Sequence, residues 1–190
     1  LHAIFVTHEH TDHTSGIRVF AKKFGLPVYA SPGTLEAIAP GLPQADLRPL
    51  TGPVEAAGMI LEAFPVSHDC IQPVGYRVHT GDGRSFCLAT DLGCLSEEVK
   101  EALRGCDAVV LESNHDVELL RSGPYPYHLK RRILSDQGHL SNEICAAFLP
   151  ELLRSGVRRF ILGHLSRENN RPQLALDAAL SALSQAGYRR

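Results

Sequence analysis

The stretch VTHEHTDHTSG, residues 6–16, puts His8, His10 and His13 within six positions, with Glu9 and Asp12 between them. Just upstream, Ala3–Thr7 is short, apolar and β-prone, the signature of a buried strand. His8 and His10 are two apart, so they share one side of an extended chain leaving that strand. Asp12 and His13 fall where the chain turns into a helix. That helix is expected over residues 13–24, with apolar Ile17, Val19, Phe20, Ala21 and Phe24 alternating with Arg18, Lys22 and Lys23, and it ends at Gly25 before Pro27. One short loop therefore aims three imidazoles and a carboxylate at one point. A borderline cation such as zinc accepts that nitrogen and oxygen set. Glu9 points the other way in an extended loop, and HEH is not the helical HExxH of metalloproteases.

One loop rarely encloses an ion, and three further donors stand in comparable places. His68 follows an expected strand at Met59–Val66. Asp91 follows the second arm of a hairpin, Tyr76–Thr80 and Ser85–Thr90, joined by GDGR. His164 follows an expected strand at Arg159–Leu162. Strand ends are where α/β scaffolds build sites. The remaining pattern supplies a short strand at Val28–Ala30, a helix introduced by Pro32 and Thr34, and a loop with one brief strand over 39–57. It continues with a helix from Ser96 to Arg104, a strand at Ala108–Glu112 and two helical pieces over 116–137 broken around SGPYP. A helix capped by Ser141 or Asn142 reaches Arg154, and a last helix covers Gln173–Ala186. Strands and helices alternate without a linker or repeat, so residues 1–190 are read as one α/β domain.

Bulk properties narrow the class. The 190 residues are 44% hydrophobic and 21% charged, as in ordinary globular chains, and no apolar run nears the roughly 20 residues of a membrane span. A net charge of −2 excludes a strongly basic nucleic-acid binder but leaves room for a local patch. Residues 1–110 hold eight Lys and Arg against thirteen Asp and Glu, and residues 111–190 hold eleven against eight. If the acidic half holds cations, its negative excess is partly neutralised in the working protein. Cys70, Cys87, Cys94, Cys106 and Cys145 are odd in number and contain no CxxC, which argues against a disulfide framework and suits a reducing cytoplasm. They are read as idle thiols. His2, His79, His115 and His128 are read as surface or hydrogen-bonded core residues. The chain opens without Met, on a strand already under way, so more of the parent protein is expected before Leu1.

His8, His10, Asp12, His13, His68, Asp91 and His164 resemble, in order and context, the metal motifs of the metallo-β-lactamase superfamily. The resemblance implies an αββα sandwich, here lacking its first strands. It implies two divalent ions, zinc or alternatively manganese. His8, His10 and His68 would hold one; Asp12, His13 and His164 would hold the other; Asp91 would bridge them. Such a pair shares a water and lowers its pKa from about 15.7 toward 7, giving a bridging hydroxide for hydrolysis. VVLESNHD (109–116), SDQGHLSNEICAAFL (135–149) and FILGHLSRENN (160–170) are similar to the ordered motifs of tRNase Z, and GPYPYHLKRRILSDQGHLSN to the bacterial YycJ/WalJ nuclease group. Carried over, Glu112 and His139 become a proton relay, counted with Asp12 as catalytic. Lys130, Arg131, Arg132, Ser141 and Arg167 become substrate contacts for a phosphate backbone. The expected activity is a 5′–3′ exonuclease-like phosphodiesterase on DNA or RNA, cytoplasmic and free of membrane, with no oligomeric state assigned. The alternatives are a glyoxalase II-like thioester hydrolase and a non-catalytic metal-binding domain.

Overall fold

The protein is described here by a computed structural model covering residues 1–188. Strand β1 (Ile4–Phe5) carries the opening loop. The single helix expected over 13–24 is divided. α1 (Thr11–Thr14) is one turn, fixed by the amide and hydroxyl of Thr14 donating to the His10 carbonyl at 3.1 and 3.0 Å. α2 (Ile17–Phe24) starts after Gly16, buries Ile17 and Ala21, and stops at Gly25 with φ 62°. The break lets His13 face back toward the strand end while Ile17 and Ala21 reach the core.

β2 (Val28–Ala30) leads into α3 (Pro32–Ile38), capped by the Ser31 hydroxyl. The segment 39–57 contains two strands, not one: β3 (Leu47–Pro49) and β4 (Val54–Ala56). They belong to different sheets. β4 forms a hairpin with β5 (Met59–Pro65) through Ala57 and Gly58, both at positive φ (55° and 72°). A turn of that kind usually advertises itself by Asn-Gly or Asp-Gly, and Ala57 hides it.

β6 (Val74–Thr80) and β7 (Ser85–Ala89) form the hairpin read from GDGR. α4 (Glu97–Leu103) follows its Ser96 cap, then β8 (Ala108–Glu112), α5 (Val117–Ser122) and α6 (Tyr127–Ile133). α7 (Asn142–Arg154) is capped by Ser141, and β9 (Arg159–Gly163) precedes α8 (Pro172–Gln185).

The strands form two sheets. β1, β2 and β3 run parallel in that order; β4 to β9 follow sequence order, antiparallel as far as β7 and parallel from β7 to β9. Val28 and Ala30 of the smaller sheet are covered by Ile17, Ala21, Leu35 and Ile38 of α2 and α3. The larger sheet packs on α4, α7 and α8, whose Val99, Leu103, Phe148, Leu152 and Ala179 close over Cys87, Ala89, Val109 and Leu111. Helices thus cover both sheets, the layering that the expected sandwich requires. The layers meet at a seam. The Tyr76 hydroxyl donates to the Val6 carbonyl at 2.5 Å, the Val74 amide donates to the Thr7 carbonyl at 3.0 Å, and Phe5 packs edge-on against Tyr76. Registers Ala89↔Leu111 and Glu112↔Gly163 align the ends of β7, β8 and β9. Asp91, Glu112 and His164 consequently emerge side by side.

Candidate metal centre

The opening loop builds one wall of the site. His8 is buried, and its ring lies 4.1 Å from that of His13, 4.7 Å from His10 and 5.2 Å from His68, centroid to centroid. One hydroxyl organises two of these rings. Thr7 Oγ1 is 3.0 Å from His8 Nδ1 and 3.2 Å from His13 Nδ1, which turns both Nε2 atoms inward. His68 is oriented by the Gly138 carbonyl, which accepts from Nδ1 at 3.0 Å. Gly138 can come that close because it lacks a side chain: a Cβ there would lie 2.2 Å from the Ile133 carbonyl oxygen. Burial, then repulsion from His13, His10 and His68, holds His8 down to about 3, so the ring is a neutral donor. Burial also lowers His68.

The other wall converges on one carboxylate. Glu112 is fully buried. Its Oε1 accepts from His139 Nδ1 at 2.8 Å and from His164 Nδ1 at 2.7 Å; its Oε2 accepts from the amides of Leu92 and Leu140 at 2.8 and 3.3 Å. Burial alone would raise its pKa, but the two imidazoles overcome that and hold it down to about 2. In return, and against the effect of burial, Glu112 with Asp91 and Asp12 pushes His164 up to about 9. Behind this wall, Asn170 Nδ2 donates to the carbonyls of Ser113 and Asn114, and Asn114 Nδ2 donates to the His164 carbonyl at 2.8 Å, tying the ends of β8 and β9 together.

Asp91 stands between the walls. Its Oδ2 is 3.5 Å from His13 Nε2, and its Oδ1 is 3.3 Å from His164 Nε2 and 4.0 Å from His68 Nε2. Asp91 and His164 are the residues at φ 58° and 54°, backbone conformations that cost of order 1–3 kcal/mol at a non-glycine residue and tend to cluster at functional sites.

Donor atoms of Asp12, His13 and His164 lie within 4.8 Å of one another, as do those of His8, His13 and Asp91, and those of His8, His10, His68 and Cys70. Among the described residues, His8 Nε2, Asp69 Oδ1 and Asp91 Oδ2 are buried with no hydrogen-bond partner. Desolvated donors left bare around one point fit divalent cations. All seven residues read as ligands from the sequence are therefore brought together. Glu9, read as pointing away and no ligand, accepts from the Ile71 amide at 2.7 Å and is in none of these donor clusters.

The substrate residues are not gathered in the same way. The site opens into a cleft of ≈ 300 Å³ lined by His139, Asn114, Tyr125 and Arg132. Of the basic residues read from the sequence, only Arg132 lines it, and its Nε is paired with Asp69. Lys130 donates to the carbonyls of Arg121 and Gly123 at 2.7 and 2.8 Å, bracing the loop between α5 and α6. Arg131 lies over the Tyr127 ring, and Arg167 is exposed outside the cleft. Ser141 is buried and caps α7 through the Ile144 amide at 3.3 Å, so its hydroxyl serves the helix. His115 is buried, but neither ring nitrogen has a hydrogen-bond partner among the described residues. The sequence reading missed Thr7, Asp69, the Gly138 carbonyl and Cys70. Only the contiguity of His68, Asp69 and Cys70 could have drawn attention to the last.

The family described as "Beta-lactamase superfamily domain" matches residues 1–165. The chain is 41% identical to "Exodeoxyribonuclease YycJ" of Bacillus anthracis over 97% of its length and 72% of that protein. It is likewise 41% identical to "Exodeoxyribonuclease WalJ" of Streptococcus pneumoniae serotype 2 (strain D39 / NCTC 7466), over 98% of this chain and 71% of the relative. Among solved structures, the metallo-β-lactamase fold protein YhfI from Bacillus subtilis superposes with a TM-score of 0.71 at 18% identity, covering 96% of this chain and 71% of that one. The chain belongs to the β-lactamase superfamily and is a hydrolase of the metallo-β-lactamase fold. No described helix is long and apolar enough to cross a membrane.

Proposed function

We propose that the protein is a dinuclear metal-dependent phosphodiesterase that shortens DNA from an end in the 5′–3′ direction, working in the cytoplasm. The observation that carries this reading is the Glu112 carboxylate shared by His139 Nδ1 and His164 Nδ1. It fixes one imidazole for a metal and a second for a proton, from one buried charge. The relatives' names, exodeoxyribonucleases at 41% identity, support the substrate class.

His8, His10 and His68 would hold one ion, and Asp12, His13 and His164 the other, with Asp91 between. Zinc is the first choice for this donor set and manganese the alternative. When bound, the ions supply Lewis acidity and an acidified water.

The chain's own side chains do the rest. Glu112 accepts from His164 Nδ1 and so directs Nε2 toward Asp91. This is the carboxylate–histidine arrangement that tunes a ligand. His139, bound through Nδ1, turns Nε2 to the cleft, where it holds the proton that a departing 3′ oxygen takes. Arg132, kept at the rim by Asp69, meets the phosphate backbone, and Arg167 extends that contact outside the cleft.

The test is metal-loaded protein offered end-labelled duplex DNA, single-stranded RNA and a thioester in parallel. The expected result is stepwise shortening of DNA that weakens steeply with salt. Turnover of the thioester alone, with a flat salt response, overturns the nuclease reading.

A further inference from the structure

Cys70 is the one donor in the first cluster that the histidine pattern does not call for. Its Sγ lies 3.4 Å from His10 Nε2. With one nitrogen each from His8, His10 and His68 it completes a set of four donors, all within 4.8 Å of one another. The thiol is held there by its neighbours: the Cys70 amide donates to the His68 carbonyl at 2.9 Å, and the next amide, Ile71, donates to Glu9 at 2.7 Å. The loop is thus pinned on both sides of the sulfur.

A second observation points to the same spot. His8 is 1% exposed, its Nδ1 is engaged by Thr7, and its Nε2 has no hydrogen-bond partner among the described residues. Neighbouring ligands about 2.0–2.3 Å from a four- or five-coordinate zinc ion stand about 3–4 Å from each other, and the 3.4 Å from Cys70 Sγ to His10 Nε2 falls in that range.

We propose that Cys70 is a further ligand of the ion held by His8, His10 and His68, which gives this position a three-nitrogen, one-sulfur donor set for a thiophilic cation and leaves its open position to Asp91 and water. The inference rests on reading those three histidines as ligands. On binding, the S–H bond breaks, the sulfur electron pair forms the metal–sulfur bond and the proton leaves to solvent. The two positions then differ in kind. One has a sulfur and selects zinc or cobalt; the other, with Asp12, His13 and His164 beside Asp91, offers only nitrogen and oxygen and admits manganese.

The test loads the full chain with cobalt(II) and records its absorption spectrum. The expected result is a near-ultraviolet sulfur-to-cobalt charge-transfer band that is lost in Cys70→Ala and Cys70→Ser and kept in Cys94→Ala. The visible ligand-field bands remain in all of them, because the imidazoles still hold cobalt. In parallel, competition with a chromophoric chelator should show one of two zinc ions weakened by about tenfold or more in Cys70→Ala, with manganese affinity unchanged. Ligand-field bands without the sulfur band in the parent protein, or a sulfur band surviving in Cys70→Ala, overturns the proposal. Absence of all cobalt bands removes the histidine ligand set and the proposal with it. That outcome is distinct from intact metal binding without nuclease activity, which would sink only the functional reading.

Discussion

The two walls of the cleft are built on opposite plans. The wall from Thr7 to His13 is local: the six consecutive residues His8 to His13 carry its three imidazoles, organised by one neutral hydroxyl. The wall of Glu112, His139 and His164 is assembled from residues up to 52 positions apart and is organised by one buried charge that accepts four hydrogen bonds. The first wall crowds desolvated nitrogens together and leaves His8 Nε2 bare. The second satisfies itself without any added cation. The lesson is a division of labour: the local wall leaves a buried donor bare, where a cation fits, and the long-range wall is organised by its own hydrogen bonds.

Glu112→Ala should break that contrast most severely. It leaves two imidazole N–H groups and two amides without their acceptor, and unfolding in urea should show a loss of about 3–5 kcal/mol. A loss below about 1 kcal/mol would mean the far wall is not organised by the charge. The same contact has a pH signature in metal-free protein. Glu112 is depressed from 4.5 to about 2, so its contribution is complete above about 4.5 and disappears as pH falls toward 2. His164 is raised from 6.5 to about 9, so its contribution is complete below 6.5 and disappears as pH rises through 9. The stability gap between the parent and Glu112→Gln should therefore peak between about pH 4.5 and 6.5, and a gap independent of pH would contradict the pairing.

His139→Ala should come next, slowing cleavage of a substrate with a poor leaving group by about 10²–10⁴-fold while elemental analysis finds the metal content unchanged. Unaltered rates would remove His139 from proton transfer.

The local wall predicts smaller effects. Thr7→Val keeps the shape and removes the hydroxyl that orients His8 and His13, and should weaken metal affinity by about 10–100-fold in a chelator competition. Outside both walls, Ala57→Asn should suit the positive φ of the β4–β5 turn and raise stability by about 0.5–1 kcal/mol, with metal affinity unaltered.

The same contrast explains what could be read from the sequence. His8, His10, Asp12 and His13 are legible because their spacing is itself the geometry: two along a strand, then a turn. His68, Asp91 and His164 are legible as strand-end residues, since β-prone runs precede each. Glu112 and His139 were reached through motif resemblance, and their hydrogen bond became visible only when β8 and the loop before α7 were side by side. Lys130, by contrast, reads as part of a cationic run, yet it donates to the backbone carbonyls of Arg121 and Gly123, where α5 ends and a loop begins whose path no spacing encodes. The brief strand expected over 39–57 became two strands in two sheets because parallel pairing of β3 with β2 is a tertiary event. The split at Ser15–Gly16 likewise answers to two demands, an imidazole facing one way and a core face the other, that a single apolar periodicity does not separate.

The seam beneath the opening loop restricts how this protein can move. The histidine loop is suspended from Val6 and Thr7, and the backbone carbonyls of both are gripped by the larger layer through Tyr76 and Val74. Sliding one layer over the other would drag the imidazoles away from Asp91, so the layers cannot serve as jaws. The cleft opens instead at its outer margin, which Tyr125 of the α5–α6 loop and Arg132, paired with Asp69, line.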